Sequence, residues 1–314
     1  MTSQKAHPCP LCRSQEVSVH HVGVREDPTK QVYRCTHCQL QFLEPRDDLR
    51  AYYRDEYRKT HESTIGQILS AEDRYKIHRP FAQVPAESFK EDVPEGSSVL
   101  EVGCSSGAFL DALGTEYDRY GLEWNPEDAA FVRDVGELPC EEGGLLDCYP
   151  GKKFDAIVAI QVFEHVADPI EWLRQLKSRL IGGGWVYLEV PNVMEALNSA
   201  YPTEEFRNWY YRDAHVTYWE PNNLASALGS VGFEAKVGLR QRYGLRSHMN
   251  WIENRYPLPD YMTACQPFVP VPRNHPFAPA LNRWWRRIDQ EYRIQMETLQ
   301  LADTLTAIGR RREI

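Results

Sequence analysis

The sequence predicts an α/β protein: a doubly wound, mostly parallel sheet of seven strands, with a small cysteine-bearing module in front of it. Three observations predict this. From Ser98 to Leu239, short apolar runs of β character alternate with helical stretches, the pattern of a parallel sheet with crossover helices. A glycine-punctuated turn, Gly103 to Gly107, follows the first of those strands and opens a helix. Four of the eight cysteines fall in two CxxC pairs near the N-terminus.

The 314 residues suffice for one large α/β domain and an accessory module. A hydrophobic share of 42% supports a packed core and argues against disorder. No stretch approaches the ~20 consecutive apolar residues of a membrane span, and the N-terminus lacks the apolar centre of a secretory signal. A cytoplasmic protein with no membrane partner is the expectation. The net charge of −9 opposes a nucleic-acid partner, because phosphate contacts need a basic face. The Arg-rich C-terminal stretch, which includes Arg283, Arg286, Arg287 and Arg293, is explained equally well by a solvated helix face.

Taken in chain order, residues 1–46 come first. The pairs Cys9-Pro-Leu-Cys12 and Cys35-Thr-His-Cys38 each place two thiolates on one tight turn. Two such turns complete a tetrahedral thiolate cage of the zinc-ribbon kind. Val17–Val24, Val32–Arg34 and Gln39–Leu43 read as its strands. So small a segment buries little core, and a structural Zn2+ bound by Cys9, Cys12, Cys35 and Cys38 is the expected staple. Residues 47–95 read as a helical linker. Helical spacing runs from about Ile65 to Phe81, and Pro80 is expected to end it.

Residues 96–314 carry the main domain. A strand begins at Ser98 and leads into the glycine turn, which feeds a helix N-terminus where a ligand's backbone contacts can form. A second strand, Arg119–Leu122, ends in Glu123, 20 residues after Gly103. In doubly wound sheets an acidic residue there accepts hydrogen bonds from ribose hydroxyls. A third element is expected near Gly144–Asp147, and Phe154–Ile160 forms a fourth, wholly apolar strand. A helix at 169–180 precedes a glycine turn and a fifth strand ending at Pro191. Another helix, 221–231, leads to a sixth strand over 232–239. Residues 302–308 read as one further strand. Residues 241–300 then become an insertion with a helix over about 280–299, in the position where insertions shape an acceptor pocket.

The first strand and its turn, Glu123, Phe154-Asp155-Ala156 and Glu164-His165 together resemble class I S-adenosylmethionine-dependent methyltransferases over about residues 96–240. The resemblance implies a seven-stranded class I methyltransferase fold with S-adenosylmethionine as cofactor. It implies Glu101, Gly103, Cys104, Ser105 and Gly107 around the methionine end, Glu123 at the ribose, Leu145 beside the adenine, and Gln161 and Val162 flanking the sulfonium. Ser105 stands where that family commonly has glycine, and Leu145 where it often has an acidic residue. The two CxxC pairs, His215–Trp219, Gln241–Gly244 and Ala302–Leu305 also resemble a narrower group, methyltransferases with an N-terminal zinc-binding domain that modify sugars and polysaccharides. The longer members of that group carry a further C-terminal domain, for which this chain has no room.

A hydroxyl or amine acceptor needs a base tuned near neutral pH. Ligands sit at the C-terminal ends of parallel strands. His215 and His165 are therefore the candidate bases, with Glu164 and Tyr218 as orienting groups. The expected function is methyl transfer to a small acceptor, a sugar nucleotide or other sugar-linked metabolite. Methylation of RNA or protein, and a non-catalytic cofactor-binding scaffold, are the alternatives. Oligomeric state is not legible in the sequence.

Overall fold

The computed structural model describes residues 7–44, 52, 54, 57, 58 and 69–312. The expected boundary at residues 46 and 47, and the expected helix start at Ile65, lie outside the described residues. The main sheet has seven strands in the order β10-β11-β8-β7-β4-β5-β6. These are β4 (Ser98–Val102), β5 (Asp118–Glu123), β6 (Cys140–Glu142), β7 (Phe154–Ile160), β8 (Leu180–Pro191), β10 (Phe233–Arg240) and β11 (Thr304–Arg311). Pairing is parallel from β6 through β8, while β11 runs antiparallel to both β8 and β10. The final strand thus lies inside the sheet, wedged between β8 and β10. This is the class I methyltransferase fold.

The central strands are apolar on both faces because helices cover both. Phe154, Ala156, Ile157, Val158 and Ala159 of β7 are all fully buried. One face is covered by α1 (Ala71–Lys90), α2 (Ala108–Leu113) and α3 (Pro126–Asp134). The other carries α4 (Pro169–Ser178) and α5 (Pro221–Ser230). Three of these starts have side-chain caps: Ser70 accepts from Asp73 N–H, Asn125 from Asp128 N–H and Asp168 from Glu171 N–H.

Two expectations about elements are corrected. Pro80 does not end the linker helix, for α1 continues past Pro80 and Pro85 to Lys90. Proline inside a helix costs about 3 kcal/mol. That cost is offset where the second half of the helix buries Ala82, Ala86 and Phe89. Phe89 packs edge-on against Phe109, Tyr117 and Tyr187 with ring centroids 5.8–6.0 Å apart. The third strand lies at Cys140–Glu142, ahead of Gly144–Asp147. Cys140 and Glu142 pair with Gly121 and Glu123, and Gly143 at φ +135° then breaks the strand.

The N-terminal segment forms a second sheet, β1 (Val17–Val22), β2 (Gln31–Cys35) and β3 (Gln41–Phe42), all antiparallel. Its fourth strand comes from far along the chain: β9 (Thr217–Tyr218) pairs with β3, Gln41 opposite Tyr218 and Phe42 opposite Thr217. The small sheet therefore does not stand alone. Just behind β9, Trp219 is fully buried and stacks on Phe163 at 4.7 Å, its indole N–H donating to Thr217 Oγ1 at 3.0 Å. Trp219→Ala should cost about 3–5 kcal/mol in urea denaturation; a loss below about 1 kcal/mol would contradict this packing. Among the described residues, no helix is long and apolar enough to cross a membrane.

Candidate active site and cysteine cluster

The C-terminal ends of β4, β5, β7 and β8 open into one cavity of about 1460 Å3. Drug-sized ligands occupy ~300–1,000 Å3, so this cavity has room for a nucleotide-sized cofactor and an acceptor together.

At one end lies the glycine turn. Gly103 adopts φ +70°, and a Cβ there would meet Val162 Cγ2 at 2.6 Å. The turns after β4 and β7 are thus in contact, and only glycine permits it. Ser105 adopts φ +49°, a left-handed conformation that costs a side-chain-bearing residue about 1–2 kcal/mol. Its N–H donates to Glu123 Oε2 at 2.8 Å, while Asn125 N–H donates to Glu123 Oε1 at 2.9 Å. These two bonds aim the Glu123 carboxylate across the cavity and leave lone pairs for further donors. Gly107, at φ +78°, begins α2 and packs on Val132 outside the cavity wall. Leu145 is buried just after β6 and lines the cavity. Cys104 lines it too, with its sulfur 3.7 Å from that of Cys140.

Glu101 is 4% exposed, and its Oε2 has no hydrogen-bond partner among the described residues. Burial, with the nearby Glu123 charge, pushes its carboxyl well above the usual carboxylate range. A carboxyl so placed favours a cationic ligand group. Gln161 follows β7 at φ +56°, with its N–H donating to Glu189 O and its Nε2 without a hydrogen-bond partner among the described residues. A ligand with an ammonium group, ribose hydroxyls and an adenine ring fits this donor and acceptor set.

At the other end, Glu164, His165 and His215 come together. Their ligand-type atoms all lie within 4.8 Å of one another. His165 Nδ1 is 2.8 Å from Ala214 O, which makes Nδ1 the donor and leaves Nε2 directed at Glu164 Oε1, 3.9 Å away. The two imidazoles meet edge-to-face at 4.8 Å. Glu164 is 1% exposed, neither carboxylate oxygen has a hydrogen-bond partner among the described residues, and burial pushes it up to about 8. Burial pushes His165 down to about 4, so its ring is neutral near pH 7. Tyr218, the fourth residue of the expected set, is placed differently. It is buried in the core and does not line the cavity. Its hydroxyl is engaged by Arg212, accepting from the N–H at 2.9 Å and donating to the carbonyl at 3.1 Å. Its position is that of a brace for the loop that carries His215.

The sequence reading missed the cationic side chains of the cavity. Arg242 enters from the start of the insertion, 3.4 Å from Gln161 Oε1 and 3.6 Å from Asp303 Oδ1. Asp303 Oδ2 also accepts the N–H groups of Arg242 and Tyr243, fixing that loop against β11. Arg25 comes from the N-terminal segment, over the Trp209 ring at 4.1 Å. Nothing in local spacing links either residue to a site formed by strands elsewhere in the chain.

At the N-terminus, the sulfurs of Cys9 and Cys38 lie 3.4 Å apart and those of Cys12 and Cys35 lie 3.6 Å apart. All four fall within 4.8 Å of one another. Thiolates on a tetrahedral Zn2+ at ~2.3 Å sit roughly 3.8 Å apart, so the cluster fits that ion. No cysteine is in a disulfide.

Residues 72–236, more than half of the chain, match a family described as a methyltransferase domain. The chain belongs to this methyltransferase family. The match runs from α1 into β10 and leaves out the cysteine cluster and the insertion. Similar curated proteins include two ubiquinone biosynthesis O-methyltransferases. That of Ruegeria sp. (strain TM1040) is 31% identical over 46% of this chain and 63% of its own length. That of Chelativorans sp. (strain BNC1) is 28% identical over 45% and 60%. The chain thus spans less than two thirds of the length of those relatives. A solved S-adenosylmethionine-dependent methyltransferase from Archaeoglobus fulgidus is similar at 16% identity and a TM-score of 0.48, over 82% of this chain and all of that one. A plantazolicin methyltransferase solved with S-adenosylhomocysteine is similar at 14% identity and a TM-score of 0.49, over 84% and 94%. Likeness at that level carries no information about the acceptor.

Proposed function

We propose that the protein transfers a methyl group from S-adenosylmethionine to a hydroxyl of a small metabolite. The observation that carries this reading is the single cavity. It joins a nucleotide-type cradle at Gly103 and Glu123 to the Glu164–His165–His215 cluster, within a chain of the methyltransferase family.

The cofactor supplies an electrophilic methyl on a sulfonium. Every other part belongs to the chain's own residues. Glu101 faces the cofactor's ammonium, Glu123 accepts from the ribose hydroxyls, Leu145 packs beside the adenine, and Gln161 and Val162 flank the sulfur. The Gly103 turn lets backbone approach the methionine end, with Cys104 and Ser105 forming its rim and Gly107 setting the helix behind it. His165 and His215 present ring nitrogens to the acceptor hydroxyl and orient its oxygen toward the methyl. Cys9, Cys12, Cys35 and Cys38 hold a structural Zn2+. The division into a module (1–46), a linker (47–95) and a catalytic domain (96–314) with an insertion (241–300) is part of the same reading.

The narrower acceptor proposal is a sugar-linked metabolite, supported by the aromatic wall of Phe206, Trp209, Tyr210 and Trp251, because ring faces stack on such walls. A second reading is a phenolic hydroxyl. The same wall suits it, and the relatives named for ubiquinone biosynthesis favour it. RNA and protein acceptors have less support, since the net charge is −9. The test is S-adenosylhomocysteine release against nucleotide sugars, catechols and other phenols, and RNA. Turnover with a sugar nucleotide supports the narrower reading, and turnover only with phenols replaces it. Turnover only with RNA overturns the small-molecule proposal.

A further inference from the structure

We propose that Glu164, His165 and His215 form a second metal site, distinct from the four-cysteine cluster, that takes one divalent first-row transition-metal cation at the acceptor end of the cavity. Manganese, iron, cobalt and zinc are of that type.

Three observations support the site. The first is the ligand set. Two imidazoles and one carboxylate place their donor atoms within 4.8 Å of one another, and such a face holds a cation while leaving coordination positions open. Neighbouring ligands at ~2.1 Å from a metal sit roughly 3.0–3.4 Å apart, so only a small inward rotation of these side chains is needed. The second is orientation. A metal-bound histidine ordinarily donates its other ring N–H to a carbonyl or carboxylate, which fixes the tautomer. His165 has that arrangement: Nδ1 donates to Ala214 O at 2.8 Å, and Nε2 points into the cluster. The carbonyl belongs to the residue before His215, so one short loop supplies both a ligand and the brace for another. The third is the carboxylate. Glu164 is 1% exposed and neither of its oxygens has a hydrogen-bond partner among the described residues. A carboxyl buried without a partner is costly, and a cation between it and the two imidazoles satisfies it.

The loop is held from behind. Val216 N–H donates to Glu164 O at 2.9 Å, and Leu43 N–H donates to Val216 O at 2.9 Å. Glu164, His165 and His215 all line the cavity, so the open positions of the cation face the acceptor. With the cation bound, the ring nitrogens serve as its ligands instead of meeting the acceptor hydroxyl themselves, and the cation would hold and polarise the acceptor oxygen. That role rests on the methyltransferase reading; binding of the ion does not.

The probe is Mn2+, which prefers oxygen and nitrogen donors and leaves a thiolate-bound zinc in place. The full chain, carrying one zinc, is titrated with Mn2+, and free Mn2+ is followed by electron paramagnetic resonance. We expect about one Mn2+ bound per chain. Glu164→Gln, His215→Ala and the milder His215→Gln should each weaken binding by at least about 10-fold. Retained zinc and retained S-adenosylhomocysteine affinity show that each variant is folded. If the unaltered chain takes up no Mn2+ at millimolar concentration, or if all three variants bind as well as it does, the inference is overturned. S-adenosylhomocysteine binding without Mn2+ uptake would sink this inference alone, and the reverse would sink the methyltransferase reading alone.

Discussion

Replacing Gly103 with alanine should weaken S-adenosylhomocysteine binding by about 10–100-fold, equivalent to roughly 1.4–2.8 kcal/mol. Two effects combine. The residue sits at φ +70°, where a side-chain-bearing residue is strained. The new methyl would also lie 2.6 Å from Val162 Cγ2. Val162 is β-branched and stiff, so relief must come from separating the turns after β4 and β7. Overpacking of this kind costs about 1–3 kcal/mol, and here it distorts the cradle that faces the cofactor. Gly96→Ala is the control. Gly96 has φ +82° but nothing within 4 Å of the added Cβ. It should lower stability by about 1 kcal/mol and leave cofactor affinity unchanged. Calorimetry on the two variants checks both statements. Equal affinity for Gly103→Ala and the unaltered chain would remove Gly103 from the cofactor site.

Cys9→Ser should abolish zinc binding and lower catalytic turnover by at least about 10-fold, while S-adenosylhomocysteine affinity changes by less than about 3-fold. Structural zinc contributes ~10–16 kcal/mol in isolated zinc-finger peptides. The cluster residue Cys35 ends β2, which pairs with β3, and β3 pairs with β9 at Thr217 and Tyr218. Arg25 N–H donates to Tyr211 O at 2.8 Å, and Tyr211 OH donates to Gln41 Oε1 at 2.5 Å. The loop carrying His215 therefore leans on the small sheet, while the cofactor cradle stands on β4 and β5. Loss of the ion loosens the acceptor end first. Metal analysis, thermal melting and turnover measured together test this. A soluble, zinc-free variant with undiminished turnover would show that the cysteine cluster does not support the site.

The parts of the site that were legible in the sequence are the local ones. Gly103, Ser105 and Gly107 lie within one turn, and Glu123 follows at the end of the next strand, so chain order alone places them together. Glu164 and His165 are neighbours on the loop after β7. Their meeting with His215 depends on the loop before β9, whose path is set by pairing with β3 and by Tyr218. That pairing also sets the place of Tyr218: the spacing shows an aromatic near a histidine, and only the fold shows it turned into the core. Arg25 and Arg242 were not legible as cavity residues because each arrives from outside the alternating strand and helix pattern. The misplaced third strand has a simple cause. Cys140-Glu141-Glu142 is polar for a parallel strand, and it forms at the sheet edge because only one neighbour, β5, has to be satisfied.

In the proposed function, the end of the cavity at Glu101, Gly103 and Glu123 takes S-adenosylmethionine, and calorimetric titration of the full chain with S-adenosylhomocysteine measures this without reference to the acceptor. The expected result is binding of one molecule per chain, and a thermal stabilisation equivalent to about 2.7 kcal/mol when ligand is present at 100 times Kd. Absence of both heat and stabilisation, in a chain shown to be folded, would contradict it.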